Sequence, residues 1–156
     1  MRRLSGVLLA GVMLFAPAFS HGHGSAFAQQ AAPPKLTFEG DFALLTVAIK
    51  PDKTADFEKI MSKLHEGLMK SEKAERKQQA MGWKLVKMAK PLPDGNIAYM
   101  HVINPVVPGA DYTIMQTLYE EYPDERQALY DLYRGAFAAN LSLVTANTVL
   151  DMSKPK

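Results

Sequence analysis

The sequence predicts an α+β fold in which a four-stranded antiparallel sheet carries its helices on one face. Three observations lead to this fold class. Short runs of apolar and β-branched residues are typical of strands, and two longer segments repeat their apolar residues every three or four positions, as helices do. A Pro93-Asp94-Gly95 turn joins two of the strands. The predicted order is strand, helix, strand, strand, helix, strand.

Residues 1–28 are expected to be a cleavable signal peptide. Arg2 and Arg3 supply the positive charge at its start, and the apolar run 4–15 is shorter than the roughly 20 residues that a membrane span needs. Small residues at Ala26 and Ala28 form a cleavage site before Gln29. We therefore expect an exported protein, periplasmic or secreted, without a membrane span.

An alternative cleavage site at 18–20 would place His21 at the new N-terminus. The free amine and the imidazole of His23 would then form a copper site, because such nitrogen ligands suit square-planar Cu²⁺. We expect the later site to be used, so that these histidines are removed with the signal peptide.

Residues 29–40 are expected to be a flexible linker, because their glutamines, alanines and prolines show no apolar period and the prolines favour extended chain. One domain is expected over 41–152, followed by a short tail at 153–156. Its first strand is predicted at 42–49, which is apolar and β-branched and ends before Pro51.

The first helix is expected to begin at Thr54, and its second half, 71–79, is polar. One apolar stripe runs along it, at Phe57, Ile60, Met61, Leu64 and Leu68. Gly82 is expected to end this helix. Segments 83–88 and 96–104 then form a hairpin around the 93–95 turn.

Asp111 is expected to cap the second helical region, which Pro123 interrupts and restarts. The apolar face of this region continues through Leu129 and Phe137 to Leu141. A weak last strand is predicted at 148–152.

The first and third strands are largely apolar on both faces, although two helices can cover only one face of a sheet. We therefore expect the second face to pack against another subunit, a ligand or both. The expected interface bears Phe42, Leu44, Tyr99 and Ile103 and joins two copies into a homodimer.

The predicted βαββαβ order is that of a ferredoxin-like fold, and the chain resembles the dimeric α+β barrel superfamily, in which two ferredoxin-like sheets face each other. The resemblance spans about 41–152. It is carried by this layout, by Gly82-Trp83 at the start of the second strand and by the run Y-M-H-V-I-N-P at 99–105. It implies a dimer but not one activity, because members include quinol monooxygenases, haem degraders, isomerases, dye peroxidases and domains without known activity. Exported members with this layout are bacterial proteins of unknown activity.

Composition excludes some classes of partner. The chain has 18 Lys+Arg and 16 Asp+Glu, and its two excess positive charges, Arg2 and Arg3, lie in the signal peptide. The mature chain is therefore formally neutral, which argues against nucleic acid as a partner. Since the sequence has no cysteine, it forms no disulfide and carries no cysteine-linked lipid anchor.

No motif in the sequence names a reaction. His65-Glu66 begins like the zinc signature H-E-x-x-H, but Met69 stands where the second histidine is needed. Phosphate-binding glycine loops, nucleophile elbows and paired cysteines are also absent. We expect no metal and no cofactor, and the sequence assigns no catalytic residue.

Four residues are candidates for lining a ligand pocket: Trp83, Tyr99, His101 and Asn104. Haem-degrading relatives use a tryptophan, an asparagine and a histidine beside the ligand, but matching residue types are not matching positions. The simpler interpretation has Trp83 anchoring a strand in the core and His101 making a hydrogen bond. Tyr99 and His101 alternate with Ile97 and Ile103 on the face that is expected to need a cover, so a pocket on that face would combine apolar walls with two hydrogen-bonding groups.

Three functions stay open. The leading hypothesis is a non-catalytic exported domain that dimerises and binds a small apolar ligand or a protein partner. The alternative is a haem- or quinol-directed monooxygenase-like enzyme, which would change absorbance on titration with haem or a quinol. The third is a structural or assembly role, in which a pull-down from periplasm recovers a partner and ligand screens stay blank.

Overall fold

The computed structural model describes residues 34–153 of the chain. The predicted signal peptide, both cleavage sites and the copper motif at 21–23 lie outside the described residues, as do residues 29–33 of the predicted linker and 154–156 of the tail. Within the described range, no helix is long and apolar enough to cross a membrane.

Four strands and four α-helices make up the described part of the chain. In chain order they are β1 (Phe42–Ile49), α1 (Thr54–Lys70), α2 (Ala74–Gly82), β2 (Trp83–Lys87), β3 (Ile97–Ile103), α3 (Ile114–Glu121), α4 (Arg126–Ala136) and β4 (Phe137–Ala146). A short 3-10 turn at Pro123–Glu125 separates α3 from α4, as the helix-restarting role of Pro123 predicts. The predicted α+β class is confirmed.

The four strands form one antiparallel sheet in the order β2-β3-β1-β4. β1 and β3 occupy its centre, with Val47 opposite Tyr99 and Leu44 opposite Val102. The predicted four-stranded antiparallel sheet is therefore confirmed, and its arrangement is compatible with a ferredoxin-like fold.

The helices cover one face of this sheet because α1 carries the apolar stripe that its sequence predicts. The stripe residues Phe57, Ile60, Met61, Leu64 and Leu68 are all buried. They form one core cluster with alternate residues of the central strands, among them Val47, Ile49 and Tyr99. Burying one large apolar side chain contributes roughly 1.5–3 kcal/mol, so this stripe fixes α1 on the sheet.

The polar second half of the predicted first helix is a separate helix. Ser71 leaves the helical conformation, with ψ 140°, and its N–H donates to the carbonyl oxygen of Gly67. The expectation of one continuous helix was wrong because two of these polar residues are themselves buried and have partners outside α1. In α2, Arg76 and Gln79 are buried and both donate to the carbonyl oxygen of Asp111.

The last strand lies at β4 and not at 148–152, which forms no strand. Phe137 and Leu141 were expected on a helix, but both lie on β4, which pairs with β1 along almost its whole length. This pairing gives the backbone groups of β1 their second set of hydrogen-bond partners, and that gain outweighs the helical pattern of the local sequence.

Asp111 does not cap the second helical region. α3 begins only at Ile114 and has no side-chain cap. The carboxylate of Asp111 instead accepts the N–H groups of Thr113 and Leu36, at 2.9 and 3.1 Å between nitrogen and oxygen. Phe38 packs on Tyr112 beside these bonds, with ring centroids 5.0 Å apart. Residues 36–38 of the predicted linker are therefore held against the loop before α3.

The predicted dimer interface combined residues from opposite faces of the sheet. Partners in an antiparallel pair share a face, and successive residues of a strand alternate between faces. Because Tyr99 is opposite Val47 and Ile103 is opposite Ala43, both lie on the face that the helices cover, where each is 1% exposed. Phe42 and Leu44 lie on the other face.

We call this second face the open face. It carries partly exposed apolar residues from all four strands, which the strand registers place side by side: Phe42, Leu44, Val86, Met100, Val102 and Val144. Val86 and Val144 are 41% and 50% exposed. The expectation of a second apolar face therefore stands, with a different set of residues on it.

Gly82 lies where α2 meets the loop after β3. A Cβ atom at this position would lie 2.5 Å from the carbonyl oxygen of Pro105, so the backbone would have to move. We expect Gly82→Ala to lower the free energy of unfolding by about 2 kcal/mol, measured by urea denaturation. Gly135→Ala is the control, because a Cβ there meets nothing within 4 Å. Equal stabilities of the two variants would contradict this packing.

Candidate functional site

A cavity of about 520 Å³ lies between α1, the end of α2 and the edge strand β2. We call it the α1–β2 cavity. It exists because α1 packs over the central strands, whereas the helix-facing residues of β2 stay only partly covered. Its volume falls within the roughly 300–1,000 Å³ that is usual for small-molecule sites.

Most of the cavity wall is apolar. Leu64 and Leu68 face it from consecutive turns of α1, and Trp83 and Leu85 face it as alternate residues of β2. Ala80, near the end of α2, also lines the cavity and leaves space because its side chain is small. This surface suits an apolar molecule.

One side of the cavity is polar and is organised around Glu58 on α1. The hydroxyl of Tyr99 donates to Oε1 of Glu58 at 2.5 Å, and Nζ of Lys87 donates to the same oxygen at 3.0 Å. The Lys87 ammonium also lies 5.5 Å from the centroid of the Tyr99 ring. We call these three side chains the Glu58 cluster; Ser62 and His65 continue the polar side along α1.

The protonation states of the Glu58 cluster follow from these bonds. The hydrogen bonds from Tyr99 and then from Lys87 lower the pKa of Glu58. Burial, followed by the bond to Glu58, raises the pKa of Tyr99. At neutral pH the cluster therefore holds an ionised carboxylate, a protonated phenol and an ammonium group.

Behind the cavity wall, Trp83 is bonded to His101. Nε1 of Trp83 donates to Nδ1 of His101 at 3.1 Å, so the neutral imidazole carries its proton on Nε2. His101 is 1% exposed, and burial lowers its pKa to about 4. Among the described residues, its Nε2 has no hydrogen-bond partner.

Three of the four predicted pocket residues come together. Trp83 and Tyr99 line the α1–β2 cavity, and His101 lies behind Trp83. They lie on the helix-covered face of the sheet and not on the second face, where the pocket was expected, because the register places Tyr99 opposite Val47 and His101 opposite Leu45. Asn104 does not join them: its side chain is exposed at the end of β3, and its backbone N–H donates to the carbonyl oxygen of Gly82. The tryptophan, asparagine and histidine of the haem-degrader comparison are therefore not gathered at one site.

Sequence analysis missed Glu58 and Lys87. The alternation Trp83, Leu85, Lys87 along β2 contained a signal for Lys87, since it places all three on one face. Nothing local identified Glu58, whose bonding partners are 29 and 41 residues away in the sequence. Between residues 34 and 153, no group of three or more His, Cys, Asp or Glu side chains is placed to hold a metal ion.

Comparison of the chain with protein-family models, curated proteins and solved structures finds no match. The resemblance to the dimeric α+β barrel superfamily therefore stays an expectation from the sequence. The function has to be inferred from the cavity and from the exposed surfaces of the fold.

His101 makes the stability of the domain depend on pH. Its pKa is about 4 in the folded protein, below the value of 6.5 for an unperturbed histidine. The unfolded chain therefore takes up the proton first, and the stabilising effect is complete above pH 6.5 and is lost as the pH falls towards 4. We expect the free energy of unfolding to fall by up to about 1.4 kcal/mol per pH unit in this window.

Urea denaturation between pH 6.5 and 5 measures this effect before most carboxylates titrate. His101→Gln should flatten the dependence, whereas His65→Gln, which alters an exposed histidine of α1, should retain it. If the free energy of unfolding still falls with pH in His101→Gln as it does in the wild type, His101 is not the group responsible.

Proposed function

We propose that this chain is an exported, non-catalytic domain that forms a homodimer and binds a small apolar molecule in the α1–β2 cavity. The observation that carries this proposal is the combination of an apolar wall with one polar cluster in a cavity of about 520 Å³. A few convergent polar groups in a mostly apolar cavity are typical of sites that bind small molecules.

The state of the ionisable groups supports binding in preference to acid–base chemistry. A general base works best with a pKa near the operating pH. The pKa of Glu58 is instead lowered by its hydrogen bonds from Tyr99 and Lys87. His101 is neutral and lies behind Trp83, and it is not one of the residues that line the cavity. The polar groups are therefore arranged to orient a ligand.

The strand order supports a ferredoxin-like domain. β3 lies between β1 and β2 in the sheet, while α1 and α2 connect β1 to β2 along the chain. That is the arrangement of a split βαβ unit.

The open face supports dimerisation of the α+β barrel type. Its apolar side chains come from all four strands, and the described helices pack on the opposite face. Packing two such sheets face to face would bury the apolar side chains of the open face in both copies. Each large apolar side chain removed from water contributes roughly 1.5–3 kcal/mol.

Binding of the neutral fluorophore N-phenyl-1-naphthylamine tests the ligand site. We expect one bound molecule per chain. Ala80→Phe should weaken binding at least about tenfold, because its ring fills the cavity that Ala80 lines. Ala128→Phe makes the same change at an exposed position of α4 and should leave the affinity unchanged. Equal binding by both variants would show that the dye binds elsewhere and would overturn the proposal.

A further inference from the structure

The side chain of Lys87 places an ammonium group inside the Glu58 cluster. Its Nζ is 3.0 Å from the Glu58 carboxylate and 5.5 Å from the centroid of the Tyr99 ring. A carboxylate and an aromatic face are the two groups that proteins use to bind organic cations. The cavity therefore contains a cation-binding position, which the chain fills with its own lysine.

Of the two charged groups at this position, the carboxylate of Glu58 is held more firmly than the ammonium of Lys87. Glu58 is on α1 and is held by the hydroxyl of Tyr99, a residue of the central strand β3 that is 1% exposed. Lys87 is the last residue of the edge strand β2. The side chains of Lys87 and Glu58 are both 48% exposed, so what sets Glu58 apart is its hydrogen bond from the buried Tyr99. An exposed ion pair of a flexible lysine contributes little to stability, so Lys87 can leave the position at small cost.

We infer, resting on the proposed function, that the ligand of the α1–β2 cavity is a cationic amphiphile, an amine carried on an apolar body. Its ammonium group takes the position of Lys87 Nζ between Glu58 and the Tyr99 ring. Its apolar body lies along Leu64, Leu68 and Leu85.

An anionic ligand fits this arrangement less well. To reach Lys87 it would have to approach a carboxylate that is 3.0 Å from the same ammonium. Displacing Glu58 from Lys87 would leave that carboxylate in place, because the bond from Tyr99 still holds it. Like charges would then share the site, which is unfavourable.

A matched set of probes tests the inference: 4-phenylbutylamine, 4-phenylbutan-1-ol and 4-phenylbutanoate. They share one apolar body and differ in the charge of the end group. Trp83 is the single tryptophan of the chain and lines the cavity, so its fluorescence reports binding of each probe. We expect the amine to bind about tenfold more tightly than the alcohol, which corresponds to about 1.4 kcal/mol, and the carboxylate to bind most weakly.

Two variants test whether the Glu58 cluster causes the preference for the amine over the alcohol. Glu58→Gln should bring the affinities of amine and alcohol to within about twofold, since it removes the charge but keeps an acceptor for Tyr99. Lys87→Met should strengthen amine binding, because the competing ammonium is gone. Glu72→Gln and Lys90→Met change the net charge equally at exposed positions, and both should bind the three probes as the wild type does.

The outcomes separate this inference from the proposed function. Equal affinities of amine and alcohol in the wild type would overturn the inference alone. Tightest binding of the carboxylate, lost in Lys87→Met, would replace it with an anion site. No binding of any of the three probes, together with no binding of the naphthylamine dye, would overturn the inference and the proposed function alike.

Discussion

Leu44→Asp is expected to disrupt the proposed dimer and to give a monomer or an aggregate. Leu44 lies in the middle of the open face, with Val102 opposite it on β3 and Val144 opposite it on β4. A dimer joined through this face would bury the new carboxylate among apolar side chains without a partner, which costs several kcal/mol. Sedimentation velocity at fixed protein concentration distinguishes dimer, monomer and aggregate.

Lys77→Asp is the control for this prediction. Lys77 is exposed on α2, in the layer on the opposite side of the sheet, so the variant should remain a dimer. Lys84 is less suitable, because its register with Val102 places it on the open face. A wild type that sediments as a monomer, with Leu44→Asp equally soluble and stable, would contradict dimerisation through this face.

Arg76→Ala is expected to cost about 3 kcal/mol of unfolding free energy. Arg76 is 3% exposed and joins α2 to two other parts of the fold. It donates to the carbonyl oxygen of Asp111 at 2.7 Å and to Oε2 of Glu120, on α3, at 3.2 Å. Removing it leaves a partly buried acceptor with fewer partners and the Glu120 carboxylate without its buried counter-charge.

Lys73→Ala provides the comparison, because Lys73 donates to the same oxygen of Glu120, at 2.8 Å, from a side chain that is 54% exposed. Exposed ion pairs contribute little, so this variant should lose less than about 1 kcal/mol. Urea denaturation at fixed protein concentration measures both variants. Equal losses would show that burial of Arg76 does not matter.

The pKa of Glu120 gives a second test of this network. Burial by itself would raise this pKa. The hydrogen bonds from Lys73 and Gln116 and the charges of Arg76 and Lys73 outweigh burial and lower the pKa to about 2. A lowered pKa in the folded state stabilises the protein above the ordinary value of 4.5, and this stabilisation is lost as the pH falls towards 2. Arg76→Ala should therefore raise the pKa of Glu120, which carboxyl NMR titration measures.

Local periodicity was enough to predict β1 and the apolar stripe of α1, because both patterns are complete within one segment. It was not enough for β4. Phe137 and Leu141 continue the apolar spacing of α4, and only pairing with β1, about ninety residues earlier in the chain, makes their segment a strand. Long-range pairing of this kind leaves little trace in the local sequence.

The faces of the sheet illustrate the same limit. Alternation shows that β1 and β3 each have two apolar sets, but it does not show which sets share a side. The register decides this by placing Tyr99 with Val47 and Met100 with Thr46. For the site, Trp83 was a candidate because haem-degrading relatives use a tryptophan, and Tyr99 because of its alternation with apolar residues along β3. Glu58 comes from α1 and reaches Tyr99 only through packing.

Native mass spectrometry of the protein purified from its own host tests the central claim most directly. The account predicts a mass of two chains with one small molecule bound per chain, released as a cation when the protein is unfolded. The Ala80→Phe protein should give the same dimer without the small molecule. A single chain with no added mass, from protein that is otherwise folded, would contradict both the dimer and the ligand site.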